Sequence, residues 1–356
     1  MVHSKSHWHA LIMAGGKGER FWPWSRGDRP KQLLPLLGKK TLIEMTVKRL
    51  LALLPPSQIW IVTSSRQARA MARLMPSFPK ANFIVEPIGR DSAGAVMLGC
   101  ATVARKDPEA VMALVPADQL IHDVRPYHRQ LSDCFRKAAR EDILMTIGTR
   151  PTAPSPSYGY IERGVEMKGG GVFRTRMFRV RRFVEKPDVP TARRLVKAGR
   201  FYWNAGMFIW SASAISRAFE RHSPVHARGW RLLHKNRRGY LEKEFARLPR
   251  ISIDYAVMEK ARNIGVAEGE FGWDDLGSWS ALYTQLPHDA AGNCVRGRAL
   301  LVDSAGCMAL GDGRMIAMLG VRDLVVIQEG GVTLVCHRDA ARRLKELVKD
   351  LPSDLR

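Results

Sequence analysis

Cysteine is scarce: Cys100, Cys134, Cys294, Cys307 and Cys336 are the only five in 356 residues, and no two form a C-x-x-C pair. That excludes a disulfide-stapled miniprotein, gives no support to a zinc ribbon, and leaves reduced thiols in a cytoplasmic setting as the expectation. Long apolar runs are missing as well. None approaches the length of a membrane span, and residues 10–14 are too few and too soon followed by glycines for a signal peptide, so no membrane partner is expected. Acidic residues are outnumbered, 34 Asp+Glu against 57 Lys+Arg, and the net charge of +23 favours phosphate-bearing or otherwise anionic partners. Basic clusters stand at Arg174, Arg176, Arg179, Arg181, Arg182 and at Arg228, Arg231, Lys235, Arg237, Arg238. No nucleic-acid-binding fingerprint accompanies them, so nucleic acid is not an expected partner. His3, His7 and His9 are expected in a frayed, solvated tail.

What is present reads as alternating strand and helix. Residues 8–13 form a short apolar run that ends in Gly15-Gly16-Lys17-Gly18. Thr41 and Glu44 make a capping box, followed by Ile43, Val47, Leu50 and Leu54 at helical spacing. Residues 59–63 and 83–85 predict strands, and Ser92 predicts the cap of a helix reaching Val103. The wholly apolar run 111–115 predicts a central parallel strand that delivers Asp118 just past its carboxyl end, and 143–147 repeats the pattern. Further strands are expected at 178–184 and 207–210, a helix from Thr191 closed by Gly199, and a helix over 253–260. Past Leu286 the texture changes to short apolar bursts, at 299–302, 315–319 and 324–327, separated by Gly and Asp. A basic amphipathic helix over 339–351 follows, with Leu344, Leu347, Val348 and Leu351 on one face. The expectation is an α/β domain over residues 1–288, with a Rossmann-like mixed, mostly parallel sheet flanked by helices, and a small β-rich appendage over 289–356 with a terminal helix. No tandem repeat is visible.

The glycine loop fits neither G-x-G-x-x-G nor a Gly-Lys-Ser/Thr phosphate loop. It does place bare backbone amides beside Arg20, Arg26 and Lys31, which is what a triphosphate needs. The run Ala14-Gly15-Gly16-Lys17-Gly18-Glu19-Arg20-Phe21-Trp22-Pro23, with Ser25-Arg26 and Pro30-Lys31-Gln32, resembles the signature of sugar-1-phosphate nucleotidyltransferases. Within that family it is most similar to the mannose-1-phosphate guanylyltransferase (GDP-mannose pyrophosphorylase) group. The resemblance continues through Glu86-Pro87-Ile88-Gly89-Arg90, Pro116-Ala117-Asp118, Tyr158-Gly159-Tyr160-Ile161, Phe183-Val184-Glu185-Lys186-Pro187, Trp203-Asn204-Ala205-Gly206, the 252–260 segment and Gly272-Trp273-Asp274-Asp275.

The resemblance implies transfer of a guanylyl group from GTP to mannose 1-phosphate, releasing pyrophosphate. It implies Arg20 and Lys31 as catalytic cations on the triphosphate. Ala14, Gly15, Gly16, Gly18, Glu86, Pro87, Gly89, Arg90 and Asp118 would contact the nucleotide, and Gly159, Glu185, Lys186 and Asn204 the sugar phosphate. Asp118 and Asp275 would hold Mg²⁺ or another divalent cation, two carboxylates being enough where phosphate and water complete the shell. Read from the residues alone, Asp118 could instead cap a helix, and Asp274 or Asp275 could cap one starting near Ser278. A homodimer is among the family's implications, and the isomerase domain fused in some long members is expected to be absent. Asp91-Ser92-Ala93-Gly94 departs from the family's usual Asn-Thr-Ala-Pro beside the base pocket, Gln119 and Ala205 replace a frequent histidine and serine, and Gln328-Glu329-Gly330-Gly331 replaces an acidic turn.

Overall fold

The computed structural model describes residues 5–16, 18–27, 29–167, 173–235 and 238–355. Two compact units emerge, each assembled from separated stretches: Met1–Gly15, Val47–Ala117 and Ile121–Trp273 in the first, Gly16–Thr46, Asp118–Leu120 and Asp274–Arg356 in the second.

The first unit is built on a nine-stranded sheet. Its strands are β1 (Trp8–Met13), β2 (Ile59–Ser64), β3 (Phe83–Glu86), β4 (Val111–Pro116), β5 (Leu144–Thr149), β6 (Tyr160–Glu166), β7 (Met177–Val184), β8 (Phe201–Ser211) and β9 (Ile264–Gly269). Their order is β3-β2-β1-β4-β8-β5-β9-β7-β6. The block β3-β2-β1-β4 is parallel throughout, as is the pair β5-β9. β8 runs antiparallel to both β4 and β5, and β6 and β7 run antiparallel to each other. Within the block, β4 is wholly apolar over 111–115, because a strand covered on both faces has no solvent side to mark with polar residues, whereas β3 at the end of the order leaves Val85 exposed. Helix Asp91–Lys106 lies against the block with small side chains inward. A Cβ on its Gly99 would fall 2.5 Å from Leu11 Cδ2, so glycine is what permits that approach to β1. Helix Val124–Arg140 is capped by Asp123, which accepts from the Arg125 amide.

Several local expectations are corrected. Ser92 is not a helix cap: the helix begins at Asp91, and the Ser92 hydroxyl accepts from the Ile253 amide at 2.9 Å. His7 and His9 are not in a solvated tail, since Nδ1 of His7 and Nε2 of His9 each lie 3.0 Å from the Asp107 carboxylate. His3 falls outside the described residues. Residues 254–258 form a π-turn, with Ala256, Val257 and Met258 buried.

The second unit carries β10 (Cys294–Arg296), β11 (Ala299–Val302), β12 (Met308–Leu310), β13 (Ile316–Leu319), β14 (Leu324–Glu329) and β15 (Val332–His337). β10, β12 and β14 stack in parallel, β11 pairs with β13 in parallel, and β15 closes the stack antiparallel to β14. Two parallel ladders fed by alternate strands are the coil of a short β-helix. Inward Met308, Leu310, Val325 and Ile327 share a core with Phe21, Trp22, Leu34, Leu276 and Trp279, so the residues after the glycine loop are packed on the β-helix. The terminal segment is a 3-10 turn, Arg338–Arg343, and then helix Leu344–Asp350. Leu344 and Val348 are buried there, whereas Leu347 is 44% exposed and leaves the expected apolar face. The i, i+4 pair Leu344 and Val348, with Leu351 packed partly buried against the same core, aims the last turn.

Candidate active site

The cations of the glycine loop and both metal-candidate aspartates fall in the second unit. Gly18 stands at φ +70° at the head of the 3-10 turn Glu19–Phe21, and its carbonyl accepts from the Ser25 hydroxyl at 2.5 Å and the Phe21 amide at 2.9 Å. Gln32 Nε2 donates to the Gly16 carbonyl at 3.2 Å, tying the loop's start to the turn that carries Lys31. Lys31 is buried, and its Nζ lies 2.9 Å from Asp118 Oδ2 and donates to the Asp275 carbonyl at 2.6 Å. These groups border a cavity of about 390 Å³, together with Glu19, Arg20, Gly277 and Lys345. Lys17 lies outside the described residues.

The capping alternatives for the aspartates have other occupants. Asp123 caps the helix after Asp118, and Ser278 caps helix Trp279–Tyr283 by accepting from the Ala281 amide. Asp274 accepts from the Leu276 amide at 2.6 Å and from Gln285 Nε2 at 2.9 Å, so it shapes the loop. Asp275 is pushed up to about 6, first by burial and then by Asp118 and Asp274, against the pull of Lys31 and Arg20. Two carboxylates at one cavity are oxygen donors of the kind a hard divalent cation takes, with Lys31 already paired to one of them. Among the described residues no group of three or more His, Cys, Asp or Glu is arranged to hold a metal, so phosphate and water would complete the shell.

The loop is braced by the β-helix turn at 328–331. Arg29 Nη1 pairs with Glu329 Oε1 at 2.6 Å, Arg26 Nη2 donates to the Glu329 carbonyl at 3.0 Å, and Trp24 Nε1 donates to the Gln328 carbonyl at 3.4 Å. Trp22 Nε1 donates to the Leu355 carbonyl at 2.8 Å. The departure from the family's acidic turn therefore retains one carboxylate, and that carboxylate is engaged.

In the first unit Gly159, Glu185, Lys186 and Asn204 come together. Lys186 Nζ lies 2.8 Å from Glu185 Oε1, which holds the ammonium above its ordinary range. The Asn204 amide donates to the Gly159 carbonyl at 2.8 Å, and its side chain donates to Asp254 Oδ1 at 2.9 Å. A Cβ on Gly159 would overlap the Glu185 carboxylate. Asp254 is the residue that sequence reasoning left without a site. Burial, and then Glu185, lifts its carboxyl to about 6. Its one sequence signal is a carboxylate within a stretch whose Ile253, Val257 and Met258 pack in the core. Tyr158 meets Trp203 and Trp273 edge-on nearby, its ring centroid 4.9 Å from that of Trp203 and 5.2 Å from that of Trp273.

The remaining nucleotide candidates also lie in the first unit. Ala14 continues from β1, its amide donating to the Val62 carbonyl and its carbonyl accepting from the Thr63 hydroxyl at 2.7 Å. Glu86 ends β3, and its Oε2 would be 3.5 Å from a Cβ on Gly15, so Gly15 and Glu86 are neighbours. Burial and Asp91 push the Glu86 carboxyl up to about 7. Pro87 and Ile88 form the bend after Glu86, Gly89 follows it, and the Arg90 guanidinium donates to the Ala246 carbonyl. Asp91 takes φ +61°, and its carboxylate accepts from the Ser92 amide at 2.7 Å, so the unusual segment forms the first turn of helix Asp91–Lys106. In the basic strand region Arg182 and Arg200 each reach Glu162 at 2.7 Å, and Arg176 pairs with Glu166 at 2.9 Å. Of the second basic cluster, Arg228 lies 3.4 Å from Glu244, and Arg237 lies outside the described residues.

Residues 9–292 match the family model for nucleotidyl transferases, and residues 297–351 match the mannose-phosphate isomerase/GMP-like beta-helix domain. The xanthan biosynthesis protein XanB of Xanthomonas campestris pv. campestris is 34% identical over 96% of this chain and 73% of its own length. A mannose-1-phosphate guanylyltransferase of Escherichia coli is 32% identical over 97% of this chain and 74% of its own. The crystal structure of mannose-1-phosphate geranyltransferase from Thermus thermophilus superposes with a TM-score of 0.86 at 39% identity, covering 96% of this chain and 98% of that one. The chain therefore belongs to the nucleotidyl transferase family, in its mannose-1-phosphate guanylyltransferase group.

Proposed function

We propose that the protein transfers a guanylyl group from GTP to α-D-mannose 1-phosphate, giving GDP-mannose and pyrophosphate. The observation that carries this reading is the cavity in which Arg20, Lys31, Asp118 and Asp275 converge beside the glycine loop. An oxygen of the sugar phosphate attacks the α-phosphorus, a new P–O bond forms, and the α–β bridging bond breaks with its electron pair leaving on pyrophosphate. No protein nucleophile is required. Arg20 and Lys31 neutralise the departing pyrophosphate, and the Gly16 and Gly18 segment lets backbone approach the phosphates closely. Asp118 and Asp275 would hold Mg²⁺ or another divalent cation, which when bound supplies further charge neutralisation on the phosphates. Lys186, kept protonated by Glu185, meets the sugar phosphate, while Glu185 and Asn204 offer acceptor and donor to vicinal hydroxyls. Residues 1–288 carry the transfer in this reading and 289–356 brace it, a division supported by the limits of the two family models. Residence in the cytoplasm belongs to the same reading, supported by five free cysteines. So does a homodimer, checked by light scattering, for which the β-helix offers exposed Leu300, Leu319 and Val335.

The test is pyrophosphate release with Mg²⁺, crossing GTP, ATP, UTP and dTTP against mannose, glucose and N-acetylglucosamine 1-phosphates. A maximum at GTP with mannose 1-phosphate is expected. A maximum at another pair overturns the substrate assignment, and no release from folded protein with any pair overturns the activity.

A further inference from the structure

A third cation edges the cavity that holds Arg20 and Lys31, and it comes from the C-terminal helix. Lys345 borders the same space as Arg20, Lys31, Asp118 and Asp275. Its position follows from packing: Leu344 and Val348 are buried in the core that holds Phe21, which fixes helix Leu344–Asp350 against the turn carrying Arg20. The residue after Leu344 is thereby aimed at the cavity rim. The charges already there are unevenly committed. Lys31 is held between Asp118 and the Asp275 carbonyl, whereas Lys345 has, among the described residues, only Glu19, at 4.0 Å. Both members of that pair are accessible, Lys345 at 54% and Glu19 at 37%, so water and salt screen it and an anion can displace it at little cost.

The geometry points to Lys345 as a binding residue for the β- and γ-phosphates of the nucleoside triphosphate, and for pyrophosphate after transfer, with Glu19 as the carboxylate that releases it. The inference rests on the proposed nucleotidyl transfer, but it concerns where the leaving group is held and gives the terminal helix a part in that binding.

The experiment is calorimetric titration of inorganic pyrophosphate, with Mg²⁺, into wild type, Lys345→Ala, Lys345→Arg and Glu19→Gln, each checked by thermal melting. Lys345→Ala is expected to weaken binding roughly three- to tenfold, the scale of one charge-assisted contact, and Lys345→Arg to restore it within about twofold. Glu19→Gln is expected to tighten binding about twofold by removing the competing carboxylate. In turnover, Lys345→Ala should raise KM for the triphosphate while leaving KM for the sugar phosphate unchanged, a split that general loosening of the fold would not produce. Pyrophosphate affinity equal to wild type in Lys345→Ala overturns the inference, as does equal weakening toward both substrates. Wild type that binds pyrophosphate in a Lys345-dependent way yet turns over no substrate pair supports the inference and overturns the proposed reaction instead.

Discussion

The main chain of Gly18 lies directly against Lys31: a Cβ on Gly18 would fall 2.6 Å from the Lys31 backbone nitrogen. The glycine loop and the lysine are therefore one packed unit, and the loop sets where the ammonium can reach. Gly18→Ala meets two penalties, a positive φ of +70° and an overlap with backbone that cannot turn aside. The variant is expected to lose about 10²-fold or more in kcat/KM, with a destabilisation of about 1–3 kcal/mol. Steady-state rates beside a urea melt check it; near-wild-type turnover would sink the idea that loop and lysine are set together.

Lys31→Ala and Asp275→Ala are each expected to lower kcat/KM by about 10²-fold or more, the scale of one lost transition-state charge contact. The two should differ in their response to metal. Lys31→Ala, which frees Asp118 from its ion pair, should need no more Mg²⁺ than wild type, while Asp275→Ala should need a higher Mg²⁺ concentration for half-maximal rate. A Mg²⁺ titration of each variant decides this, and an unchanged midpoint in Asp275→Ala would remove the aspartate from the metal site.

Much of the parallel block was legible in the sequence because a strand buried on both faces must be apolar at every position, as Val111 to Val115 are. The capping box was legible for a similar reason, since its hydrogen bonds are local: the Thr41 amide donates to Glu44 Oε2 at 2.8 Å. Long-range pairing was not. Nothing near His7 or His9 announces Asp107, and the segment expected to be a tail is anchored from another part of the chain. The β-helix was hidden because its paired positions, Cys294, Met308 and Val325, are unevenly spaced, so no repeat appears along the chain. Asp254 was hidden by its neighbours, which read as an ordinary packed helix face.

Gly159→Ala tests the sugar side. The added methyl would meet the Glu185 carboxylate, the far end of a flexible side chain, so the fold should adjust with a cost of about 1 kcal/mol or less. Function should not adjust as easily, because Glu185 also orients Lys186. KM for mannose 1-phosphate is expected to rise about tenfold with little change for GTP. Equal KM values for both substrates in variant and wild type would show that Glu185 has no part in sugar binding.

Asp254 supplies the pH test. Its carboxyl is raised from 3.8 to about 6, first by burial and then by Glu185. A carboxyl that titrates higher in the fold than in the unfolded chain contributes stability that is full below the unfolded value and is lost as pH rises through the folded one. The contribution is therefore present at pH 3.5 and gone by pH 7.5, where the wild type carries a buried, ionised group beside Glu185. Asp254→Asn keeps an oxygen for the Asn204 side chain and has no proton to lose. It is expected to be more stable than wild type at pH 7.5 by about 1–2 kcal/mol, a rise in Tm of roughly 2–6 °C, and to match it near pH 3.5. Paired melts at the two pH values measure the difference directly. A gap of the same size at both would mean that ionisation of Asp254 costs the fold nothing, and that Asn204 is held by the shape of the π-turn and not by its charge.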